Sequence, residues 1–146
     1  MGVVAVALTL QSAGTGAEQK VGGDERVAVV QAMVEAWNTM DLERVIRLFA
    51  PDGIFHSVML EPIAGRDALR THFKPVFAEL DRVNLEVVNI GAVGAVVFVE
   101  RVDDFVYRGK HSRVPVVGVI EVADGHIVEW RDYYDRATMV EAMTAP

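Results

Sequence analysis

The chain has 146 residues, of which 51% are apolar and 24% are charged, so one globular domain with one hydrophobic core is expected. Its formal net charge of −7 argues against nucleic acid or an anionic membrane surface as a partner. Cysteine is absent and the four histidines are scattered, which excludes disulfides and thiolate chemistry and leaves no ligand spacing for a zinc site.

The first 22 residues differ in character from the rest of the chain. The apolar run from Val3 to Leu10 is far too short to span a bilayer, and it lacks the positive n-region of a secretory signal. A stretch of small and polar residues follows it. We therefore expect residues 1–22 to be a poorly ordered or loosely docked extension, residues 23–146 to form the single domain, and the protein to be cytoplasmic.

Two helices with a short connection are predicted next. Asp24 is placed to cap a helix that begins at Glu25, and apolar residues recur at helical spacing as far as Trp37. Asp41 is placed to cap a second helix. The signal Pro51-Asp52-Gly53 predicts a turn after it.

A short strand and a third helix complete the first half of the chain. The strand is predicted from Ile54 to Met59, with Phe55 and Ser57 on the same face. The third helix opens at Gly65-Arg66-Asp67, and Pro75 within its apolar pattern predicts a kink or a restart. The large apolar residues of the helices are interpreted as core or pocket wall: Trp37, Phe49, Phe73 and Phe77. His72, beside Phe73, is interpreted as non-catalytic.

The second half of the chain changes to valine-rich strands separated by turn residues. Strands are predicted over residues 83–90, 95–107, 114–122 and 127–134, with hairpin turns between them and a short closing helix over residues 136–143. Because helices come first and antiparallel strands follow, the fold class is α+β. We expect a cone: a strongly curved, mixed or antiparallel sheet wrapped around three helices, with a hollow suited to a small-molecule pocket.

Charged residues lie on strand faces that should otherwise be apolar. Side chains alternate along a strand, so Arg101 and Asp103 share a face with Val99 and Phe105. Asp104 points the other way and is expected to face solvent or an interface. A buried carboxylate is costly unless it is paired or hydrogen-bonded.

The last predicted strand repeats this feature. Asp132 shares a face with Val128, Trp130 and Tyr134 by the same alternation. Two interpretations follow from the residues alone. One is a structural salt bridge between Arg101 and one of the aspartates, and the other is a catalytic Asp–Arg–Asp group.

Five motifs support a resemblance to a known family. Two are Trp37-Asn38…Asp41…Leu48-Phe49-Ala50-Pro51-Asp52-Gly53 and Gly65-Arg66-Asp67-Ala68-Leu69. The strand motifs are Glu100-Arg101-Val102-Asp103, Val116-Val117-Gly118-Val119-Ile120-Glu121-Val122 and Trp130-Arg131-Asp132-Tyr133-Tyr134-Asp135. With the order of elements, the first two resemble the nuclear transport factor 2-like (SnoaL-like) superfamily. The strand motifs resemble its limonene-1,2-epoxide hydrolase branch. The resemblance as a whole covers residues 24–138.

The resemblance implies a reaction and its catalytic residues. Asp103 matches the family's general acid, Asp132 its base, and Arg101 the cation between them. A small apolar epoxide, cyclic or terpenoid-like, would be opened to a vicinal diol by one-step attack of water. No covalent enzyme intermediate, metal or cofactor is implied.

One part of the family pattern is altered in this chain. The family holds the attacking water with a tyrosine and an asparagine on the first strand, and those positions fall on Phe55 and Ser57. The candidates for positioning water or substrate are Ser57, Phe55, Trp130 and Tyr134. Ser57 with Asp132 could suffice, assisted by Tyr107 or Tyr134.

Other functions stay open at this stage. A substrate hydroxyl as nucleophile would make the protein a SnoaL-like isomerase or cyclase, acting on a steroid, polyketide or hydroxy-epoxide without incorporating water. A weakly active relative with a different substrate and a non-catalytic binding or assembly module are further alternatives.

An exposed apolar sheet face predicts a homodimer. Val114, Val116 and Ile120 are candidate contributors to that interface. Pro115 suggests that its backbone nitrogen lies outside the hydrogen-bond ladder.

Overall fold

The computed structural model describes residues 15–144, with side chains from residue 23 onward. The predicted extension up to residue 14, including the apolar run, lies outside the described residues.

The first helix, α1, spans Thr15–Asn38. The predicted start at Glu25 and the Asp24 cap are therefore wrong. The helix begins ten residues earlier, so Asp24 lies inside it, and the absence of a side chain at Gly23 lets it approach the sheet: a Cβ on Gly23 would lie 3.3 Å from the Cβ of Ala92.

The second helix, α2, spans Leu42–Leu48 and confirms the Asp41 cap. Asp41 Oδ1 accepts from the backbone N–H of Arg44 at 2.9 Å, which satisfies one of the free donors of the first turn. Val45 and Ile46 are buried between α2 and the rest of the core.

Strand β1 spans Phe49–Ser57 and β2 spans Ile63–Ala64. The predicted turn at Pro51-Asp52-Gly53 is wrong, because these residues form an irregular part of β1, where the register with its neighbour shifts between Phe49 and Ile54. A backbone hydrogen bond from Gly65 to the carbonyl of Gly53, 2.9 Å long, helps to hold this segment.

The third helix, α3, spans Arg66–Glu79 and continues through Pro75 without the predicted restart. A proline removes one backbone donor, but the helix is held on the core by its buried residues Leu69, Phe73 and Phe77.

Four long or medium strands and a short helix follow: β3 Leu80–Val93, β4 Val96–Tyr107, β5 Lys110–Ala123, β6 His126–Tyr133 and α4 Arg136–Ala142. The predicted hairpins and the closing helix are confirmed. Arg108 and Gly109 at one turn, and Asp124 and Gly125 at another, all have positive φ, as two-residue type I′ turns require. Asp135 caps α4 by accepting from Thr138 N at 2.7 Å.

Among the described residues the strands form one curved, open sheet in the order β2-β1-β6-β5-β4-β3. β1 pairs parallel with β6, and the other neighbours pair antiparallel. The predicted α+β class is confirmed. None of the helices within residues 15–144 combines the length and apolar character needed to cross a membrane.

The inner face of the sheet packs on the helices and contains Val114, Val116 and Ile120, all buried. Their predicted part in an intermolecular interface is therefore wrong, because alternation alone did not reveal which face is interior. Large apolar residues that are exposed instead include Phe98 and Val117, on the opposite face. Pro115 pairs with Val102 inside the β4–β5 ladder, and it precedes Val117, where the pairing of β5 with β6 begins.

Candidate active site

Three charged side chains predicted from strand alternation meet on the inner face of the sheet. Arg101 and Asp103 extend from β4, and Asp132 extends from β6, with β5 between the two strands. Arg101 is 4% exposed, Asp103 9% and Asp132 7%. The predicted shared face of Arg101, Asp103, Val99 and Phe105 is confirmed, since all four are buried.

The guanidinium of Arg101 bridges the two carboxylates. Its Nε donates to Asp103 Oδ1 at 2.7 Å, and its Nη2 donates to Asp103 Oδ2 at 3.3 Å. Toward Asp132, Nη1 donates to Oδ1 at 3.0 Å and Nη2 donates to Oδ2 at 2.8 Å. Both pairs are two-point contacts, which fix orientation as well as distance.

Trp130 adds a donor to one carboxylate only. Its indole N–H donates to Asp132 Oδ1 at 2.6 Å, and the Arg101 guanidinium carbon lies 5.5 Å from the Trp130 ring centroid. Among the described side chains, Asp132 therefore accepts three hydrogen bonds and Asp103 accepts two. The two carboxyl groups therefore differ in their hydrogen-bond partners.

Burial raises the pKa of Asp103, and the opposing effect of the Arg101 charge is not enough to reverse it. Burial alone would lower the pKa of Arg101, but the negative charges of Asp132 and Asp103 raise it. Arg101 therefore stays cationic, while Asp103 keeps its proton to higher pH than an exposed aspartate does.

The trio lines a cavity of about 280 Å³ between the sheet and the helices. Most of the wall is apolar, and its Phe, Trp and Tyr members are Trp37, Phe49, Phe55, Phe73, Phe105, Trp130 and Tyr134. The four residues predicted to position water or substrate, Ser57, Phe55, Trp130 and Tyr134, all line this same cavity. A cavity that is mostly apolar with a few convergent polar groups suits a small, largely apolar ligand.

A pair of hydroxyl groups lies beside the carboxylates. Ser57 Oγ and the Tyr134 hydroxyl are hydrogen-bonded to each other. Ser57 is the register partner of Asp132 in the parallel pairing of β1 with β6, so the two side chains are neighbours on the inner face. Tyr107, the other tyrosine considered for this role, is not among the described residues that line the cavity.

The alternation argument fails at Val128, which is 37% exposed, whereas Ile127 is buried. The register between β5 and β6 shifts between Glu121 and Val122, so the inner-face pattern set by Trp130 and Asp132 does not extend back to Val128. An irregularity of this kind moves a side chain to the other face of the sheet.

Asp104 does point away from the cavity, but its predicted exposure is wrong, since it is 6% exposed. It accepts from Arg82 Nη2 at 2.6 Å and from Arg113 Nη1 at 2.5 Å, and His111 lies 3.2 Å away. The hydrogen bond from Arg82, together with those from Arg113 and His111, lowers the pKa of Asp104 to about 2. Long side chains on neighbouring strands cover it, which alternation cannot predict.

The sequence reasoning missed several residues at the cavity. Met139 and Met143 near α4 line it, as do Arg136 at the start of that helix and Glu61 after β1. His72 also lines it, and burial lowers its pKa, so it is neutral near pH 7. The methionines stand at i and i+4, a helical spacing that could have marked this face of α4. Within the described part of the chain, no group of three or more candidate ligands could hold a metal ion.

Comparisons with known proteins agree with this architecture. Residues 30–130 match the family model of the SnoaL-like domain. Over 116 residues, the chain is 32% identical to epoxide hydrolase EphG of Mycobacterium tuberculosis strain H37Rv, covering 78% of this chain and 76% of that protein.

Two solved structures extend the comparison. An LEH-like epoxide hydrolase of M. tuberculosis is 28% identical, with a TM-score of 0.74 and coverage of 84% of this chain and 91% of that chain. A putative polyketide cyclase of Xanthomonas campestris pv. campestris is 22% identical, with a TM-score of 0.74 and coverage of 83% and 98%. The second likeness is one of fold.

Proposed function

The chain belongs to the SnoaL-like domain family and has the NTF2-like fold, and from that premise we propose that it is an epoxide hydrolase of the limonene-1,2-epoxide hydrolase type. Its substrate would be a small apolar epoxide, cyclic or terpenoid-like, and its product a vicinal diol. The observation that carries the proposal is the Arg101 guanidinium, which holds Asp103 and Asp132 in different surroundings at one apolar cavity.

The proposed reaction is a single displacement. Asp132, ionised, takes a proton from water as the water oxygen forms a bond to one epoxide carbon. The bond from that carbon to the epoxide oxygen breaks, and Asp103 gives its proton to this oxygen. Each turnover leaves Asp132 protonated and Asp103 ionised, so a proton returns to Asp103 before the next one.

Surroundings of the two carboxyl groups support this division of roles. Burial raises the pKa of Asp103, which favours its protonated, acidic form. Asp132 accepts the extra indole hydrogen bond of Trp130, which orients the carboxylate proposed as the base. Arg101, whose pKa is raised, stays charged throughout and keeps both side chains in place.

The attacking water would be held by Ser57 and Tyr134. Their hydroxyl groups are bonded to each other and line the cavity next to Asp132. Two hydroxyls retain acceptor capacity and a donor for a water molecule after bonding to one another. They would replace the tyrosine and asparagine that the family resemblance implies for positions 55 and 57.

Incubation with a panel of small cyclic epoxides in ¹⁸O-labelled water tests the proposal. The expected product is a diol with one labelled hydroxyl, formed by the wild type and not by Asp132→Asn. Absence of diol across the panel, or full activity of Asp132→Asn, would contradict hydrolysis by this mechanism.

An isomerase or cyclase acting on a steroid, polyketide or hydroxy-epoxide is the second candidate. Phe55 favours it, because this side chain lacks the hydroxyl that would help to hold a water molecule. The same acid and base would then act on a substrate hydroxyl, and the product would contain no ¹⁸O.

The proposal has four further parts. The enzyme needs no cofactor, forms a homodimer, is located in the cytoplasm, and consists of a single domain over residues 23–146. Exposed apolar side chains on the outer sheet face, such as Phe98 and Val117, support the homodimer. Light scattering of the purified protein tests it, and a monomeric mass at micromolar concentration would contradict it.

A further inference from the structure

One glycine interrupts the aliphatic inner face of β5. Residues 114, 116 and 120 on that face are Val, Val and Ile, and position 118 between them is Gly118, which is buried. Its φ lies outside the left-handed region that favours glycine, so its backbone would accept a side chain. A glycine inside a strand loses side-chain packing, and it often marks a close approach of another group.

The surroundings of Gly118 show what approaches it. A Cβ built on this residue would lie 2.9 Å from Val99 Cγ1, 3.0 Å from Arg101 Nη1 and 3.1 Å from Ile120 Cδ1. Nη1 is the atom that donates to Asp132 Oδ1. The space that an alanine methyl group would need is therefore bounded by the guanidinium itself.

Sheet register explains this proximity. Gly118 pairs with Val99 on β4 and with Asp132 on β6, while Arg101 lies on β4, one inner-face position beyond Val99. Because neighbouring strands are roughly 4.8 Å apart, Arg101 must reach across β5 to meet Asp132. Gly118 is the β5 residue beneath the guanidinium Nη1 that makes this contact.

We infer that Gly118 is a positioning residue, whose missing side chain leaves the recess that lets Arg101 bridge Asp103 and Asp132. Its effect on turnover rests on the proposed function, whereas its effect on Arg101 does not. A methyl group at position 118 would push Nη1 away by a few tenths of an ångström and weaken its hydrogen bond to Asp132.

The variant Gly118→Ala tests this inference, with Gly91→Ala as the matched control. Gly91 also lies in a strand, β3, has no positive φ, and would place its Cβ in open space. The first measurement is the ¹⁵N–¹H resonance of Arg101 Nε, assigned by its loss in Arg101→Lys. We expect Gly118→Ala to shift this resonance and to speed its hydrogen exchange by about tenfold or more, as the ion pair opens locally. Gly91→Ala should leave it unchanged.

The second measurement is turnover of an epoxide accepted by the wild type. Since misplacing a catalytic group by about 1 Å can cost on the order of 100-fold, a shift of a few tenths of an ångström should lower kcat of Gly118→Ala by about three- to tenfold, with KM changed by less than about twofold. If no epoxide is turned over, the proposed function fails while the resonance of Arg101 still tests the positioning role.

A double variant distinguishes the effect on the guanidinium from the effect on the aliphatic core. Val99→Ala combined with Gly118→Ala removes the close contact of the new methyl group with Val99 Cγ1 and retains its contact with Arg101 Nη1. It can also be measured if Gly118→Ala alone does not fold. The Arg101 resonance should stay displaced in the double variant and normal in Val99→Ala alone. An unperturbed Arg101 resonance in a folded Gly118→Ala protein, or its recovery in the double variant, would overturn the inference.

Discussion

Trp130 donates its indole N–H to the same oxygen of Asp132 that accepts from Arg101, at 2.6 Å against 3.0 Å for Arg101 Nη1. Trp130 and Asp132 are two residues apart on β6, and both side chains point to the inner face of the sheet. The hydrogen bond occupies the only polar atom of the indole, so Trp130 acts on the proposed base and is not free to hold water or substrate by a hydrogen bond.

Replacing Trp130 by phenylalanine should lower kcat at pH 7. A hydrogen bond to a charged group contributes about 1.5–3 kcal/mol, so a loss of roughly 10- to 100-fold is expected. Tyr133→Phe is the control, since Tyr133 is an exposed residue of the same strand and also loses a polar group. Unchanged kinetics of Trp130→Phe would show that Asp132 does not need the indole.

Asp103→Asn and Asp132→Asn should each reduce kcat by about 10²- to 10⁴-fold, the usual contribution of a positioned acid or base. Asp104→Asn is a close control, because Asp104 is also buried and ion-paired but lies on the other face of the sheet. Steady-state kinetics on one epoxide compares the three variants. Equal losses in all of them would mean that the effect is structural.

Asp104 should stabilise the fold in a pH-dependent way. Its pKa is lowered from an ordinary 3.8 to about 2 by the hydrogen bond from Arg82 and those from Arg113 and His111. A carboxyl group with a lowered pKa stabilises the folded state above its unfolded pKa, and this contribution is lost as the pH falls through the folded value.

The Tm of Asp104→Asn should therefore be lower than that of the wild type at pH 7. The difference should shrink between about pH 4 and pH 2, where the wild-type carboxyl group takes up its proton. Thermal unfolding followed by circular dichroism at several pH values measures this. A difference that is constant with pH would exclude the ion-pair explanation.

Ser57→Ala and Tyr134→Phe should each reduce hydrolysis, by roughly tenfold if one donor or acceptor for the water is lost. Because the two hydroxyls are bonded to each other, the double variant should lose little more than either single variant. Tyr107→Phe, outside the described lining of the cavity, is the control. Additive losses at positions 57 and 134 would indicate that the hydroxyls act separately.

Local patterns in the sequence predicted the elements and the face on which the charged trio lies. Alternation along β4 put Arg101 and Asp103 with Val99 and Phe105, and all four are buried. Asp41 was identified as a cap from its side chain and position, and the hairpin turns from their glycines. Such features depend on neighbouring residues and backbone geometry, which the sequence contains directly.

Regular alternation has limits even within a strand. It placed Val128 inside, but the register shift between β5 and β6 leaves it exposed. It placed Asp104 outside, and Arg82 and Arg113 bury it there. A helix start at Glu25 with Asp24 as its cap also fitted the local sequence, whereas α1 begins at Thr15 and contains both residues.

The sequence by itself determined the order of helices and strands, and the presence of two acids and an arginine on inward faces. Only the tertiary structure decided that Ser57 pairs beside Asp132, that Trp130 bonds to that carboxylate, and that Gly118 gives Arg101 its space. The physical reason is distance along the chain. Ser57 and Asp132 are 75 residues apart in the sequence, and the pairing of their strands is set by packing of the whole core. The pattern of residues within one strand does not specify which strand pairs with it.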